Sequence, residues 1–170
     1  MSHVIATAKG RLHQIELLDD GTVWAEGSNY HGQLGDGSTI NPPLKVKVLN
    51  LSNVKAIAAG SHHSIALLHD GTVWAWGWGY WGQLGNNSNK IYQCVPLQVQ
   101  GLSDIVAIAA GYTHNIALKR DGTVWAWGYK ESLWALHTPL QMLKNLDDII
   151  AIEANGDESR AYTAYGWVCF

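Results

Sequence analysis

The sequence predicts an all-β repeat protein of four-stranded units, three of them whole and a fourth in part. Three observations carry this. One six-residue phrase, Asp-Gly-Thr-Val-Trp-Ala, is spelled at Asp20–Ala25, Asp70–Ala75 and Asp121–Ala126, and a fixed period near fifty residues marks a repeat architecture. Each phrase sits between runs rich in β-branched and aromatic residues, which favour strands. The composition, 47% hydrophobic and 15% charged with 18 Gly and 9 Trp, argues against disorder and for a β-rich globular chain.

The elements follow in order. Val4-Ile5-Ala6-Thr7-Ala8, Ala56–Gly60 and Ala107–Gly111 are runs of small and β-branched residues, suited to a strand at a crowded place. Gly10, Gly60 and Gly111 end them. A hairpin follows each. Its incoming strand is His13–Leu17, His63–Leu67 or His114–Leu118, and its outgoing strand is Thr-Val-Trp-Ala with its neighbours. Asp-Gly between them favours a tight turn, because Gly takes positive φ freely and Asp tolerates it. Gly71→Val is therefore expected to be costly.

Next come two glycine-bracketed segments, Gly27–Gly35 and Gly77–Gly85, each ending Gly-Gln-Leu-Gly. A fourth strand is expected after Pro43 and after Pro96, at an outer edge where proline is tolerated. Asn50-Leu51-Ser52, Gly101-Leu102-Ser103 and Asn145-Leu146-Asp147 then turn the chain into the next unit. The third unit departs from this pattern after Gly128, with no Gly-Gln-Leu-Gly. The fourth begins near Ile150, with Tyr165-Gly166 at the Asp-Gly position. One array results, with repeats at approximately 4–53, 54–104, 105–148 and 149–170.

The wording of Ala56–Gly60, His63–Leu67, Asp70–Gly77 and Gly82–Gly85, in that order, closely resembles the repeat of the regulator of chromosome condensation family. The resemblance covers essentially the whole chain and is closer to the bacterial wording. It implies β-propeller blades of four antiparallel strands, with the Ala-rich strand innermost. Family members usually have seven blades. At about fifty-one residues per repeat the chain holds roughly three and a third, which implies an incomplete propeller. A homodimer completing the ring, or a poorly behaved fragment, is expected rather than a well-behaved monomer. Two such chains bring apolar end faces together, or the partial fourth repeat caps the third blade through Tyr162, Tyr165 and Trp167.

Several chemistries are excluded. Gly77-Trp78-Gly79-Tyr80-Trp81-Gly82 spells the dinucleotide fingerprint, but no helical pattern follows to receive phosphates. Gly79 is matched by Asn29, which suggests a positive-φ turn position. His63 recurs as His13 and His114, the mark of a structural hydrogen-bonding residue, and His62 does not recur. No four-ligand zinc pattern surrounds Cys94 or Cys169. Ser64 beside His63 lacks an orienting acid, and Asp20, Asp70 and Asp121 are turn residues. We therefore expect no catalytic residues, no cofactor and no metal.

A net charge of −3 without a Lys/Arg cluster gives no footprint for nucleic acid. No apolar run reaches the ~18 residues of a membrane span. Met1-Ser2-His3-Val4 lacks the character of a signal peptide, so a cytoplasmic place is the default expectation.

Tyr30, His31, Trp78, Tyr80 and Trp81 lie in loop-like segments, and aromatics there are what binding surfaces use. The leading functional expectation is a non-catalytic protein-interaction scaffold that meets a protein partner through these residues. The resemblance implies a second reading, a guanine-nucleotide exchange factor for a small GTPase, although no residues of that activity can be matched here. A non-functional fragment of a larger propeller is the third.

Overall fold

Among the described residues fifteen strands form four separate antiparallel sheets, and there is no helix. The structure is a computed structural model and describes residues 2–86, 90–129, 141–142 and 148–170. The first sheet contains β1 (Val4–Lys9), β2 (His13–Leu18), β3 (Val23–Gly27) and β4 (Val46–Lys47). The second contains β5 (Val54–Ala59), β6 (His63–Leu68), β7 (Val73–Trp78) and β8 (Tyr92–Gln98). The third contains β9 (Ile105–Ala110), β10 (His114–Lys119), β11 (Val124–Gly128) and β12 (Gln141–Met142). The fourth has β13 (Ala151–Asn155), β14 (Glu158–Thr163) and β15 (Gly166–Cys169). Strands pair in sequence order within each sheet, so each is a meander, one propeller blade.

The register repeats. His13 faces Gly27, His63 faces Gly77 and His114 faces Gly128. The innermost strands β1, β5, β9 and β13 are neighbours, and their ends line an opening of about 610 Å³ floored by Ala59, Gly60, Ala110, Gly111, Ala154 and Gly156. Small residues belong there because four backbones converge. Arg11 N–H donates to Ser61 O at 3.2 Å, Ser61 N–H to Tyr112 O at 3.0 Å and Tyr112 N–H to Gly156 O at 2.7 Å, linking all four blades.

Two sequence expectations need correction. Val4 pairs with Leu18 as Val54 pairs with Leu68, so Val4 matches Val54 and Lys9 takes the place of Ala59, a shift of two residues. The Asp-Gly hairpin turn is as expected, and it is a three-residue loop. Leu18 N–H reaches Thr22 O at 2.9 Å, and Gly21, with φ 75°, donates back to Leu18 O at 3.0 Å. The fourth strand does not start at proline in the second blade. β8 starts at Tyr92, and Pro96, without an N–H, sits where its register with β7 slips. The departure of the third repeat at 130–140 and the connector at 145–147 lie outside the described residues.

Each blade buries two faces. The leading face of the first blade presents Ile15, Leu17, Val23 and Ala25 to Ala66, Trp74 and Trp76 on the trailing face of the second. Ile65, Leu67, Val73 and Ala75 meet Ala117, Trp125 and Trp127 in the same way. Trp76 and Trp127 are almost wholly buried, and each such indole contributes about 3 kcal/mol or more to its seam. In the third seam Ala161, Ile152 and Phe170 complete the packing, with Phe170 in the register position of Trp76. Those residues cover the third blade; Tyr162, Tyr165 and Trp167 do not, being 36%, 102% and 52% exposed.

The end faces also differ from expectation. By register the trailing face of the first blade carries Gln14, Glu16 and Glu26 where the second has Ser64, Ala66 and Trp76. The leading face of the fourth carries Glu153 and Arg160 where the second has Ala58 and Ile65. Polar and charged side chains take these places on both faces.

Candidate functional site

The loops that follow β3 and β7 are built on two consecutive turns. Gly32 N–H donates to Asn29 O at 2.9 Å and Gly35 N–H to Gly32 O at 3.0 Å, and Gly82 and Gly85 do the same in the second blade. The glutamine of Gly-Gln-Leu-Gly is turned inward. Gln33 Oε1 accepts from His31 N–H, and Gln83 Oε1 from Trp81 N–H, both at 2.9 Å. This fixes the direction of the residue two positions earlier. Gly35, with φ 68°, lies where a Cβ would stand 2.9 Å from Trp76 Nε1 of the next blade. Gly79 is not in the left-handed region, contrary to the sequence expectation; a Cβ there would instead meet Leu84 Cδ1 at 2.6 Å. Asn29 is fully buried, and its side chain organises its loop by bonding Asp36, Ser38 and Leu34 N–H.

The histidine of each of the first three blades crosses the seam to the next. His13 Nε2 bonds Ser64 Oγ at 3.0 Å, and Ser64 Oγ donates to Gln33 O at 3.0 Å, which also accepts from Trp76 Nε1 at 2.9 Å. One blade on, His63 Nε2 bonds Asn115 Oδ1 at 2.8 Å, and Asn115 Nδ2 and Trp127 Nε1 both donate to Gln83 O at 2.7 and 3.0 Å. His114 Nε2 meets Ser159 Oγ at 2.7 Å. Burial, then the neighbouring His63 and His62, hold His13 down at about 4. His63 is also lowered to about 4, by burial above all. His13 and His63 are neutral structural donors.

On the outer side of the same loops an aromatic ridge forms. His31 and His62 have ring centroids 5.3 Å apart, and Trp78 lies 5.7 Å from His31 and 6.0 Å from His62. Trp78 stacks on Tyr80 at 6.2 Å, Tyr80 meets Trp81 edge-on at 4.8 Å, and Trp81 leans on Tyr129 at 5.0 Å. The ridge thus runs over three blades. Of the five sequence candidates, His31, Trp78, Tyr80 and Trp81 come together. Tyr30, 69% exposed, has no ring contact among the described residues.

Two members were missed. Tyr129 follows Gly128 as Trp78 follows Gly77, a signal the repeat contained. His62 has Leu12 and Thr113 as counterparts, so nothing in the repeat marked it. Its pKa is lowered by burial, His31 and Arg11, which favours the neutral form of its imidazole. Such a surface offers flat apolar area and few donors. Among the described residues no three His, Cys, Asp or Glu gather to hold a metal ion. No helix there is long and apolar enough to cross a membrane.

Four consecutive meanders around an open axis, tied by repeated side-chain bridges, define an incomplete β-propeller of the all-β repeat class. The model of the regulator of chromosome condensation (RCC1) repeat matches residues 20–67 and 70–118, and a second model of the same repeat matches 54–83. The chain belongs to that family. It is similar to the probable E3 ubiquitin-protein ligase HERC4 of Rattus norvegicus, 51% identical over 121 residues, covering 70% of this chain and 11% of that protein. In fold it matches human WBSCR16 with a TM-score of 0.87 at 21% identity, covering 99% of this chain and 47% of that one. It also matches Prp20p from Saccharomyces cerevisiae with a TM-score of 0.82 at 23% identity, covering 99% and 45%. The chain therefore spans about a tenth of that curated relative and under half of these solved structures.

Proposed function

We propose that this chain is a non-catalytic protein-interaction module whose aromatic ridge meets a protein partner. The observation that carries the reading is the ridge itself: six rings in sequence across three blades, with Tyr80 45% exposed and the rest half-buried on a rigid bridged scaffold. Trp and Tyr dominate the energetics of protein interfaces, and a rigid support lowers the cost of ordering them. The solved structure of Prp20p is described together with binding to Gsp1p and histones, which supports a protein as the kind of partner. A second copy of the chain is a further partner in this reading. The named ligase activity belongs to relatives matched over a small part of their length, and it is not carried here.

The test compares the chain with a Trp78→Ser/Tyr80→Ser variant in intact-protein capture. The captured protein should be lost from the variant while its thermal melt stays within a few degrees. Equal capture by both overturns the ridge as the surface. Exchange activity toward a small GTPase is the competing reading, and accelerated nucleotide release by the wild-type chain would favour it.

A further inference from the structure

The axial opening is lined by one equivalent stretch of three residues from each blade, beginning at Lys9, Ala59, Ala110 and Ala154. Register makes these four positions equal, since they face Gln14, Ser64, Asn115 and Ser159. The volume of about 610 Å³ falls within the ordinary range of ligand sites.

The polar side chains around it are of one sign. The first blade supplies Lys9 and Arg11, the second Ser61, the third Tyr112 and the fourth Asn155. Among the described residues no carboxylate lines the opening, although the chain has a net charge of −3. Lys9 stands where the other three blades have alanine. Both cations are exposed, and among the described residues neither is in an ion pair. The hydroxyls of Ser61 and Tyr112 have no hydrogen-bond partner there either.

Backbone amides are already spent. Gly10, Gly60 and Gly111 N–H donate to His13, His63 and His114 O, and Arg11, Ser61 and Tyr112 N–H each donate to the next blade. Phosphate sites are commonly built from converging free N–H groups. Here only side chains remain to meet an anion. That suits carboxylates, which a guanidinium grips through two parallel N–H···O bonds.

The opening and the aromatic ridge meet at His62. His62 follows Ser61, feels the charge of Arg11, and packs against His31 and Trp78. A cationic mouth thus passes directly into an apolar surface.

We propose that the axial opening and the ridge together take an acidic segment of a protein partner, with its carboxylates at Arg11 and Lys9 and a neighbouring large apolar side chain on Trp78 and Tyr80. The hydroxyls of Ser61 and Tyr112 donate to the same carboxylates. This rests on the reading above that the ridge meets a protein, and it names the chemistry of the segment. The aromatic contact supplies most of the hold, and the charges select the segment and speed its arrival.

The test is fluorescence anisotropy of two labelled peptides with the full chain. One alternates aspartate with leucine and tryptophan; the other has asparagine for every aspartate. The acidic peptide should bind about tenfold more tightly than its neutral twin, and its binding should weaken as salt rises. Lys9→Gln/Arg11→Gln should cost the acidic peptide about tenfold and leave the neutral one unchanged. Its melt should stay within a few degrees of wild type, because both side chains are exposed. Equal binding of the two peptides, or an acidic peptide indifferent to the cation variant, overturns the proposal. So does a site that inorganic phosphate fills more tightly than the acidic peptide. Peptides that bind equally yet are lost from Trp78→Ser/Tyr80→Ser strike the mouth and leave the ridge standing. An acidic peptide that needs Arg11 but ignores the ridge variant overturns the joint surface. If neither peptide binds, the proposal falls, while the capture experiment above still judges the ridge.

Discussion

His63 of the second blade reaches Asn115 of the third across 2.8 Å, with both residues fully buried. Asn115 Oδ1 accepts, so the imidazole carries its proton on Nε2. Asn115 in turn donates to Gln83 O, the carbonyl that also receives Trp127 Nε1. Two blades are therefore joined by a chain of polar groups inside an apolar seam, where leaving one group unpaired costs more than the bond itself contributes.

Asn115→Leu keeps the volume and breaks both bonds. It strands the Nε2–H of His63 in a dry seam, while Gln83 O retains Trp127. We expect a loss of about 2–4 kcal/mol in urea unfolding, more than for Trp127→Phe, which removes a single donor. Equal or smaller loss for Asn115→Leu would mean that the relay is not what fastens the blades.

Much of this was legible in the sequence, for a physical reason. A repeat must present the same faces to its neighbours, so Asp70-Gly71, His63 and Trp76 recur and expose the blade pattern. The recurrence of His63 also marked it as structural. What it bridges was not legible, because the partner is Ser64 or Ser159 at two seams and Asn115 at the third, equivalent only by register. Gln14, Glu16 and Glu26 were hidden in the same way: their polarity is read as an end face only once the strand phase is known. The ridge was half legible. Trp78 and Tyr80 stood out as loop aromatics, but His62 joins them only through the fold.

Glycines separate two kinds of constraint. A Cβ at Gly60 would stand 2.0 Å from Cε1 of His63 and 2.6 Å from Gly111 O, so Gly60→Ala must displace the relay histidine or the neighbouring blade. At Gly71 the φ of +83° is the main obstacle, and a Cβ would lie 3.3 Å from Asp104 Cα. We expect Gly71→Ala to cost about 1–2 kcal/mol, Gly71→Val somewhat more, and Gly60→Ala above 3 kcal/mol or failure to fold. Thermal melts of the three variants check the order. Gly60→Ala as the mildest would contradict the packing of His63.

Equilibrium dialysis with zinc, calcium, GTP and NAD is expected to show no stoichiometric binding. The glycine segment 77–85 closes on buried Gln83 and Leu84 rather than opening toward a helix N-terminus. One tight site for any of the four would overturn the structural reading of that segment or of the histidines.

The pH dependence of stability follows from the same histidines. Burial lowers His13 and His63 from 6.5 in the unfolded chain to about 4 in the folded one. Between those values the unfolded chain binds protons that the folded chain refuses, so stability rises with pH across the window and falls as the protein is acidified. The stabilisation is complete above about pH 7 and is lost progressively toward pH 4, by at most about 3 kcal/mol for each histidine. The turn carboxylates act lower. Hydrogen bonds from Thr22 and Ser2 hold Asp20 at about 2, and Asp70 and Asp121 are lowered chiefly by Thr72 and Thr123. Their contributions are present above the ordinary carboxylate range and are lost only as pH falls through the lowered values. Melting temperature should thus be flat from pH 8 to 7 and drop steeply from 6.5 to 4. A His13→Gln/His63→Gln variant keeps a donor near each Nε2 position but cannot be protonated, so its curve should be much flatter in that window. If wild type and variant fall in parallel between pH 6.5 and 4, the buried neutral histidines are not the source of acid sensitivity.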